Sequence, residues 1–176
     1  KVINTKEGRK ELYNRFNLDD QLFTIGVFSR IEEQKGQHLV VEALNSINNK
    51  AIQLLIIGHC MDNKYMDKLN NMIDEFKLQK QISITSFIES PMELMPLLDL
   101  VILPTYEETF GLVVAESMLM GTPVIGSNAG GVPEIIEDKI NGLLFEPKNY
   151  KSLKEEIIRI SNSLELRKKL SDNAKI

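Results

Sequence analysis

The stretch from Asp99 to Pro133 constrains the fold of this chain more than any other part of the sequence. It contains two short apolar runs, Leu100–Leu103 and Thr122–Gly126, whose composition is typical of fully buried strands. A third apolar segment, which ends at Gly121, lies between them and is long enough to form a helix. A strand, a helix and a second strand in this order form a βαβ unit, and the two strands of such a unit lie parallel in one sheet.

The rest of the chain repeats this alternation of strand and helix. The other predicted strands are Leu22–Ser29, Ile52–Ile57, Ile82–Thr85 and Gly142–Phe145. The other predicted helices are a short one within residues 1–20, then His38–Ile47, Lys64–Phe76, Pro91–Leu98, Gly131–Ile136, Tyr150–Ile160 and Leu164–Ala174. The pattern therefore predicts an α/β fold with a doubly wound, Rossmann-like parallel sheet of about six strands. In such a sheet, ligands bind at the carboxyl ends of the strands.

Composition narrows the class of protein. The hydrophobic content of 43% and the charged content of 26% are ordinary for a globular domain, and a net charge of −4 argues against a nucleic-acid partner. The single cysteine, Cys60, excludes an internal disulfide and favours a reducing compartment. Because the chain begins at Lys1 and not at a methionine, we expect it to be part of a longer protein.

The turn before the central helix is a candidate anion site. Thr109 suits an N-cap and follows the acidic pair Glu107–Glu108. The first-turn amides would be those of Phe110, Gly111 and Leu112, which lack intrahelical partners and lie at the positive end of the helix dipole. Since glycine lets an anion approach the backbone, the turn suits a phosphate. An ordinary capped helix explains the same residues equally simply.

Glu116 is the main polar residue of this central helix. Leu112, Glu116 and Met120 share one face, and the remaining faces are apolar, so the helix is expected to be buried all round. A buried carboxylate requires hydrogen-bond donors or a cation. Glu116 could accept hydrogen bonds from a vicinal diol such as a ribose, or form a structural ion pair with a nearby cation.

Two cations flank the loop after the first strand. Arg30 and Lys35 could contact a diphosphate at the mouth of the sheet. A solvated charged loop is the other interpretation, because Glu32 lies between them. His59 and its cysteine neighbour have no second pair of ligands elsewhere, so the sequence predicts no metal site.

Several motifs together carry a resemblance to a known family. Glu108, seven intervening residues and Glu116 stand within EETFGLVVAESMLMGTPVI, which GGVPEII and NGLLF follow in order. This arrangement resembles the E-x7-E signature of retaining glycosyltransferase family 4, part of the glycosyl transferases group 1. The resemblance runs from about Phe23 to the C-terminus. It implies the C-terminal, nucleotide-sugar-binding half of a two-domain GT-B architecture, with residues 1–20 as an interdomain linker and 21–176 as the donor-binding domain.

The resemblance also implies roles for individual charged residues. Arg30 and Lys35 match the R-x4-KG pattern whose two cations contact the donor diphosphate. Glu116 matches the carboxylate that holds the ribose hydroxyls. Glu108 matches the catalytic carboxylate at the donor sugar.

Backbone and apolar contacts are implied in the same way. The amides of Phe110, Gly111 and Leu112 would lie near the diphosphate and the sugar. The nucleotide base would lie against the loop that contains Phe87 and Ile88.

The resemblance thus implies a retaining hexosyltransferase that transfers a sugar from a UDP- or GDP-sugar without a cofactor or metal. The acceptor, a carbohydrate or a lipid-linked one, would be held by an N-terminal domain absent from this chain, so the isolated chain is expected to be nearly inactive. A nucleotide-sugar epimerase of the same architecture, or an inactive nucleotide-sugar-binding module, are the alternatives. The expected location is the cytoplasm, with peripheral contact to the inner face of the membrane through the missing domain.

Overall fold

The computed structural model describes residues 6–86, 88 and 90–174. The strands are β1 (Phe23–Phe28), β2 (Ile52–Ile57), β3 (Ile82–Thr85), β4 (Leu100–Leu103), β5 (Val124–Ser127) and β6 (Leu143–Phe145). The α-helices are α1 (Lys6–Arg15), α2 (Gln37–Ile47), α3 (Asn63–Glu75), α4 (Pro91–Leu94), α5 (Leu112–Leu119), α6 (Val132–Ile135), α7 (Tyr150–Ser161) and α8 (Leu164–Ala174). No helix in the described part of the chain is long and apolar enough to cross a membrane.

The six strands form one sheet in the order β3-β2-β1-β4-β5-β6, and every neighbouring pair is parallel. The predicted doubly wound, Rossmann-like sheet is therefore confirmed. The chain builds outward from β1 to β3, then returns to the middle and builds in the other direction from β4 to β6. The direction changes between β1 and β4, and this point is where parallel sheets of this kind open a crevice for ligands.

Helices cover both faces of the sheet, which explains why the strands are apolar without alternation. One core joins alternate residues of the central strands, such as Ile25 and Leu54, to the apolar faces of α2, α3 and α7. The second core lies on the other face, where residues such as Leu55 and Val101 pack with α4, α5 and α6. All four of these residues are essentially inaccessible to solvent.

Helix α1 packs against the domain. The side chains of Tyr13, in α1, and of Phe16, just after it, are buried against the rest of the domain. The Tyr13 hydroxyl donates a 2.9 Å hydrogen bond to the carbonyl of Leu97. Asp99 adds a second link, because its carboxylate accepts the backbone N–H of Thr24 at 2.8 Å and pairs with Arg9 at 3.4 Å. These contacts fix α1 to the loop before β4.

Several predicted boundaries shift by one or two residues. Strand β5 begins at Val124 and not at Thr122, whose side chain instead donates a 2.6 Å hydrogen bond to the carbonyl of Met95. The predicted helix over Pro91–Leu98 consists of α4 followed by a 3-10 turn, Met95–Leu97. Proline lies at the start of each of these two pieces, where its missing N–H leaves no helical hydrogen bond unmade.

Replacement of Tyr13 by phenylalanine tests the docking of α1. Tyr13→Phe is expected to lower the free energy of unfolding by about 1 kcal/mol, because the buried Leu97 carbonyl loses its partner. Urea denaturation measures the change. Tyr150→Phe is the matched control, since the hydroxyl of Tyr150 makes no hydrogen bond to any residue that the structure describes. Equal stability of the two variants would contradict the docked position of α1.

Candidate functional site

Two loops meet at the point where the sheet changes direction. One follows β1 and covers residues 29–36, and the other follows β4 and covers residues 104–111. The N–H of Tyr106 donates a 2.8 Å hydrogen bond to the carbonyl of Gln34, and the Thr105 hydroxyl donates to the same carbonyl at 3.3 Å. Gly36 permits this approach, because a β-carbon there would collide with the carbonyl oxygen of Pro104.

An ion pair joins the two loops. The ammonium of Lys35 lies 3.1 Å from a carboxylate oxygen of Glu108, and both side chains are about four-fifths shielded from solvent. Arg30 behaves differently, since its side chain is largely exposed and pairs with Glu32 of its own loop at 2.9 Å. The solvated-loop interpretation therefore fits Arg30 but not Lys35, which the fold directs towards Glu108.

Helix α5 begins later than predicted. Its N-cap is Gly111, in the left-handed conformation with φ of 66°, so the prediction of Thr109 as the N-cap is wrong. The N–H groups of residues 110–113 donate no hydrogen bond within the described residues, and the first bonded one is that of Val114. Four consecutive N–H groups without a described acceptor at a helix start are chemically suited to an anion, and those of Phe110, Gly111 and Leu112 are the amides for which the sequence predicts this role.

The prediction that α5 is buried all round is also wrong. Leu112 and Leu119 lie about two turns apart on the same face of the helix, and each is 69% exposed. Phe110, just before the helix, is 70% exposed. Only Val114, Ser117 and Met118 are buried among the residues of α5. Glu116 is half-buried on the solvent side, and no described residue pairs with its carboxylate. Its environment thus requires no structural ion pair.

Two adjacent clefts line this edge of the sheet. The smaller, of about 180 Å³, is formed by Leu103, Glu108, Thr109, Phe110, Gly111, Leu112 and Val113. The larger, of about 240 Å³, is formed by Phe28, Ser29, Arg30, Ile57, Gly58, His59, Ile88, Pro91 and Val113. Val113 lines both clefts, so they are neighbours. Ile88, one of the two residues predicted to contact the nucleotide base, lines the larger cleft, and the other, Phe87, lies outside the described residues.

The GGVPE turn holds the backbone of the Glu108 loop. The N–H of Gly131 donates a 2.8 Å hydrogen bond to the carbonyl of Glu108. A β-carbon at Gly130 would collide with that carbonyl, and one at Gly131 would collide with the carbonyl of Thr109. The two glycines therefore allow the GGVPE turn to pack closely against the backbone of Glu108 and Thr109.

A buried histidine, His38, makes hydrogen bonds to a residue of the loop after β4 and to a residue of α3. The Nδ1 atom of His38 lies 2.9 Å from the hydroxyl of Tyr65, and its Nε2 atom lies 2.8 Å from the hydroxyl of Tyr106. Burial, assisted by the nearby charge of Lys68, lowers the pKa of His38 to about 4. The imidazole is therefore neutral at physiological pH, with one nitrogen as donor and the other as acceptor. The sequence showed only a histidine in a helix, because both tyrosines come from distant segments.

Another cleft, of about 560 Å³, lies at the amino ends of β1, β2 and β3. Its buried polar group, Gln53, is satisfied by the backbone of Asp19 and the hydroxyl of Thr24. Nothing there requires a ligand. Within the described residues, no group of three or more His, Cys, Asp or Glu side chains is suited to hold a metal ion.

Alanine at Gly130 tests the glycine contact with Glu108. Gly111→Ala is the matched control, because Gly111 has a similar positive φ but its nearest atom to an added β-carbon is 3.5 Å away. We expect Gly111→Ala to cost about 1 kcal/mol of unfolding free energy from backbone strain alone. Gly130→Ala is expected to cost about 3 kcal/mol, since the Glu108 backbone must also move. Equal losses in urea denaturation would refute the proposed contact.

The stability of the protein is expected to depend on pH through His38. Its folded pKa, about 4, lies below its ordinary value of 6.5, so the unfolded chain binds the proton more tightly. The contribution of neutral His38 to the free energy of unfolding is fully present above pH 6.5 and is lost as the pH falls towards 4. We expect a loss of about 2 kcal/mol, after allowance for solvent screening.

The measurement is urea denaturation of the wild-type protein and of His38→Gln from pH 7.5 to 4. The variant is expected to be less stable at pH 7.5 and to approach the wild type near pH 4. A stability difference that does not vary with pH would contradict the assignment to His38.

Comparison with known proteins identifies the family. The model of the family "Glycosyl transferases group 1" matches residues 8–176. An uncharacterized glycosyltransferase of Methanocaldococcus jannaschii is 33% identical over 99% of this chain and 47% of its own length. The alpha-D-kanosaminyltransferase of Streptomyces kanamyceticus is 29% identical over 99% of this chain and 45% of its own length. The chain thus spans about half the length of the curated relatives it matches.

Solved structures agree with the sequence relatives. The crystal structure of Anabaena HepE in complex with UDP-glucose has a TM-score of 0.91 and 26% identity, over 98% of this chain and 48% of that one. The C-terminal domain of the group 1 family glycosyl transferase LpcC from Francisella tularensis has a TM-score of 0.86 and 28% identity, over 99% of this chain and 92% of that one. From its sequence and its fold, this chain belongs to the glycosyl transferases group 1 family.

Proposed function

We propose that this chain is the donor-binding domain of a retaining glycosyltransferase that uses a UDP- or GDP-sugar. The observation that carries the proposal is the Lys35–Glu108 pair, which lies beside the free N–H groups of residues 110–113 where the sheet changes direction. A cation and a row of free amides suit the diphosphate of a nucleotide sugar, and a carboxylate next to them suits a sugar hydroxyl. The UDP-glucose complex of HepE supports this class of ligand.

The diphosphate would be the leaving group of the reaction. In the proposal, Lys35 and the amides before Val114 contact its oxygens, and Arg30 swings from Glu32 to reach it from solvent. As the bond to the sugar breaks, negative charge grows on the diphosphate. Donors that already point at that position stabilise the growing charge without rearrangement, which is a large effect in a water-poor cleft.

The two carboxylates would have separate tasks. Glu116, which is half-buried and without a described partner, accepts hydrogen bonds from the ribose hydroxyls. Glu108 orients the donor sugar and stabilises positive charge at its anomeric carbon. The nucleotide base occupies the apolar cleft that Ile88 lines.

The acceptor would bind outside this chain. Because the relatives are about twice as long, we propose that residues 21–176 form the donor domain of a two-domain GT-B enzyme, with residues 1–20 as the link. A separate N-terminal domain would bind a carbohydrate or lipid-linked acceptor, and the isolated chain would turn over little donor. A cytoplasmic location with contact to a membrane surface is part of the same proposal, and relatives named for capsular polysaccharide and O-antigen biosynthesis support a role in polysaccharide synthesis.

Calorimetric titration of UDP, GDP, UDP-glucose and GDP-mannose into the protein tests the proposed site. We expect one nucleotide class to bind selectively. Lys35→Ala and Glu116→Ala are each expected to weaken that binding about 10- to 30-fold, because each removes a charged hydrogen-bond partner worth about 2 kcal/mol.

Lys151→Ala and Glu155→Ala on α7 are the matched controls, since both side chains are exposed on another part of the surface. Binding that these controls weaken as strongly as the site variants would contradict the proposed site. Absence of nucleotide binding by the intact protein would contradict the proposed function. Full transfer activity in the isolated chain would refute the assignment of the acceptor to a separate domain.

A further inference from the structure

We infer that His38 is a positioning residue, which holds Glu108 in place through the hydroxyl of Tyr106. The inference rests on the role proposed for Glu108. Neither His38 nor Tyr106 is among the motif residues that carry the resemblance to the family. The support consists of one hydrogen bond, from the helix after Lys35 to the loop before Glu108.

Three parts of Tyr106 make contacts that hold it in place: the hydroxyl, the backbone N–H and the ring. Its hydroxyl lies 2.8 Å from Nε2 of His38, and its backbone N–H donates to the carbonyl of Gln34 at 2.8 Å. The ammonium of Lys148 lies 4.7 Å from the centre of its ring, within range of a cation–π interaction. Since Glu108 follows only two residues later, these contacts limit where its carboxylate can lie.

His38 is itself firmly anchored. It is 7% exposed and lies in the first turn of α2. The Tyr65 hydroxyl accepts the backbone N–H of His38 at 3.1 Å and meets its Nδ1 atom at 2.9 Å. Tyr65 is buried on α3, so the imidazole is fixed between two helices and can act as a rigid support for Tyr106.

The geometry connects this support to the ion pair. Lys35 ends the 3-10 turn that leads into α2, three residues before His38, and Glu108 lies two residues after Tyr106 in the loop that follows β4. The hydrogen bond between His38 and Tyr106 therefore helps to set the separation of the two loops that carry the pair, together with the bonds that the Tyr106 N–H and the Thr105 hydroxyl make to the carbonyl of Gln34. The Glu108 carboxylate has no other described partner than Lys35, so its position depends on that separation.

Tyr106→Phe tests the inference in the intact protein, because it removes the hydroxyl and keeps the ring under Lys148. We expect faster hydrogen exchange, by about five- to tenfold, at the amides of Tyr106, which bonds the Gln34 carbonyl, and of Gly131, which bonds the Glu108 carbonyl. The amide of Leu54 in β2 is the internal reference and is expected to be unchanged. Tyr150→Phe is the matched control, and it should leave the loop unaffected.

A double-mutant cycle tests whether Tyr106 acts through Glu108. The measured quantity is the ratio of UDP-glucose affinity to UDP affinity in the wild type, Tyr106→Phe, Glu108→Gln and the double variant. We expect Tyr106→Phe to lower this ratio about fivefold in the wild-type background and to have no effect once Glu108 is replaced. His38→Gln, which can still bond Tyr106, should preserve more of the ratio than His38→Ala.

The outcomes separate the two ideas. Unchanged exchange at Tyr106 and Gly131, or equal acceleration at Leu54, would overturn the positioning role whatever the donor is. An effect of Tyr106→Phe that is additive with Glu108→Gln would overturn it as well. If Glu108→Gln leaves the ratio unchanged while Tyr106→Phe accelerates exchange, the proposed role of Glu108 fails and the hydrogen bond holds the loop for another reason.

Discussion

The site depends on the double support of one loop, residues 104–111. On one side, the N–H of Tyr106 bonds the carbonyl of Gln34, and on the other, the N–H of Gly131 bonds the carbonyl of Glu108. The loop is thus fixed to the chain after β1 and to the chain after β5, its two neighbours in space. Such support is available because all strands are parallel, so that their carboxyl ends and the loops that follow lie at one edge.

The strands could be predicted because burial on both faces leaves a strong signal in the sequence. Leu100–Leu103 is apolar throughout and Ile52–Ile57 is apolar except for Gln53; each run is followed by glycine or proline, and the structure reproduces both without change. The charged pair at the crevice could be anticipated in part. Strand order places the loops of Lys35 and Glu108 side by side, but only the fold determines that Lys35, and not Arg30, turns inward.

What could not be predicted depends on contacts between distant segments. Thr109 is a good N-cap by local preference, yet its backbone is packed against Gly131, so the helix starts after Gly111 instead. The apolar composition of α5 likewise suggested burial, but Leu112 and Leu119 face outward. Apolar composition alone therefore did not distinguish the buried residues Val114 and Met118 from the exposed ones.

The ion pair need not compete with a bound anion. An ammonium group carries three N–H donors, and Glu108 accepts only one of those of Lys35. No other described residue accepts a hydrogen bond from Lys35, so two donors remain for solvent or for phosphate oxygens. Glu108 therefore orients the cation without saturating it. Because a shielded ammonium is costly when its donors are unpaired, the same geometry that holds Lys35 in place favours an anionic ligand beside it.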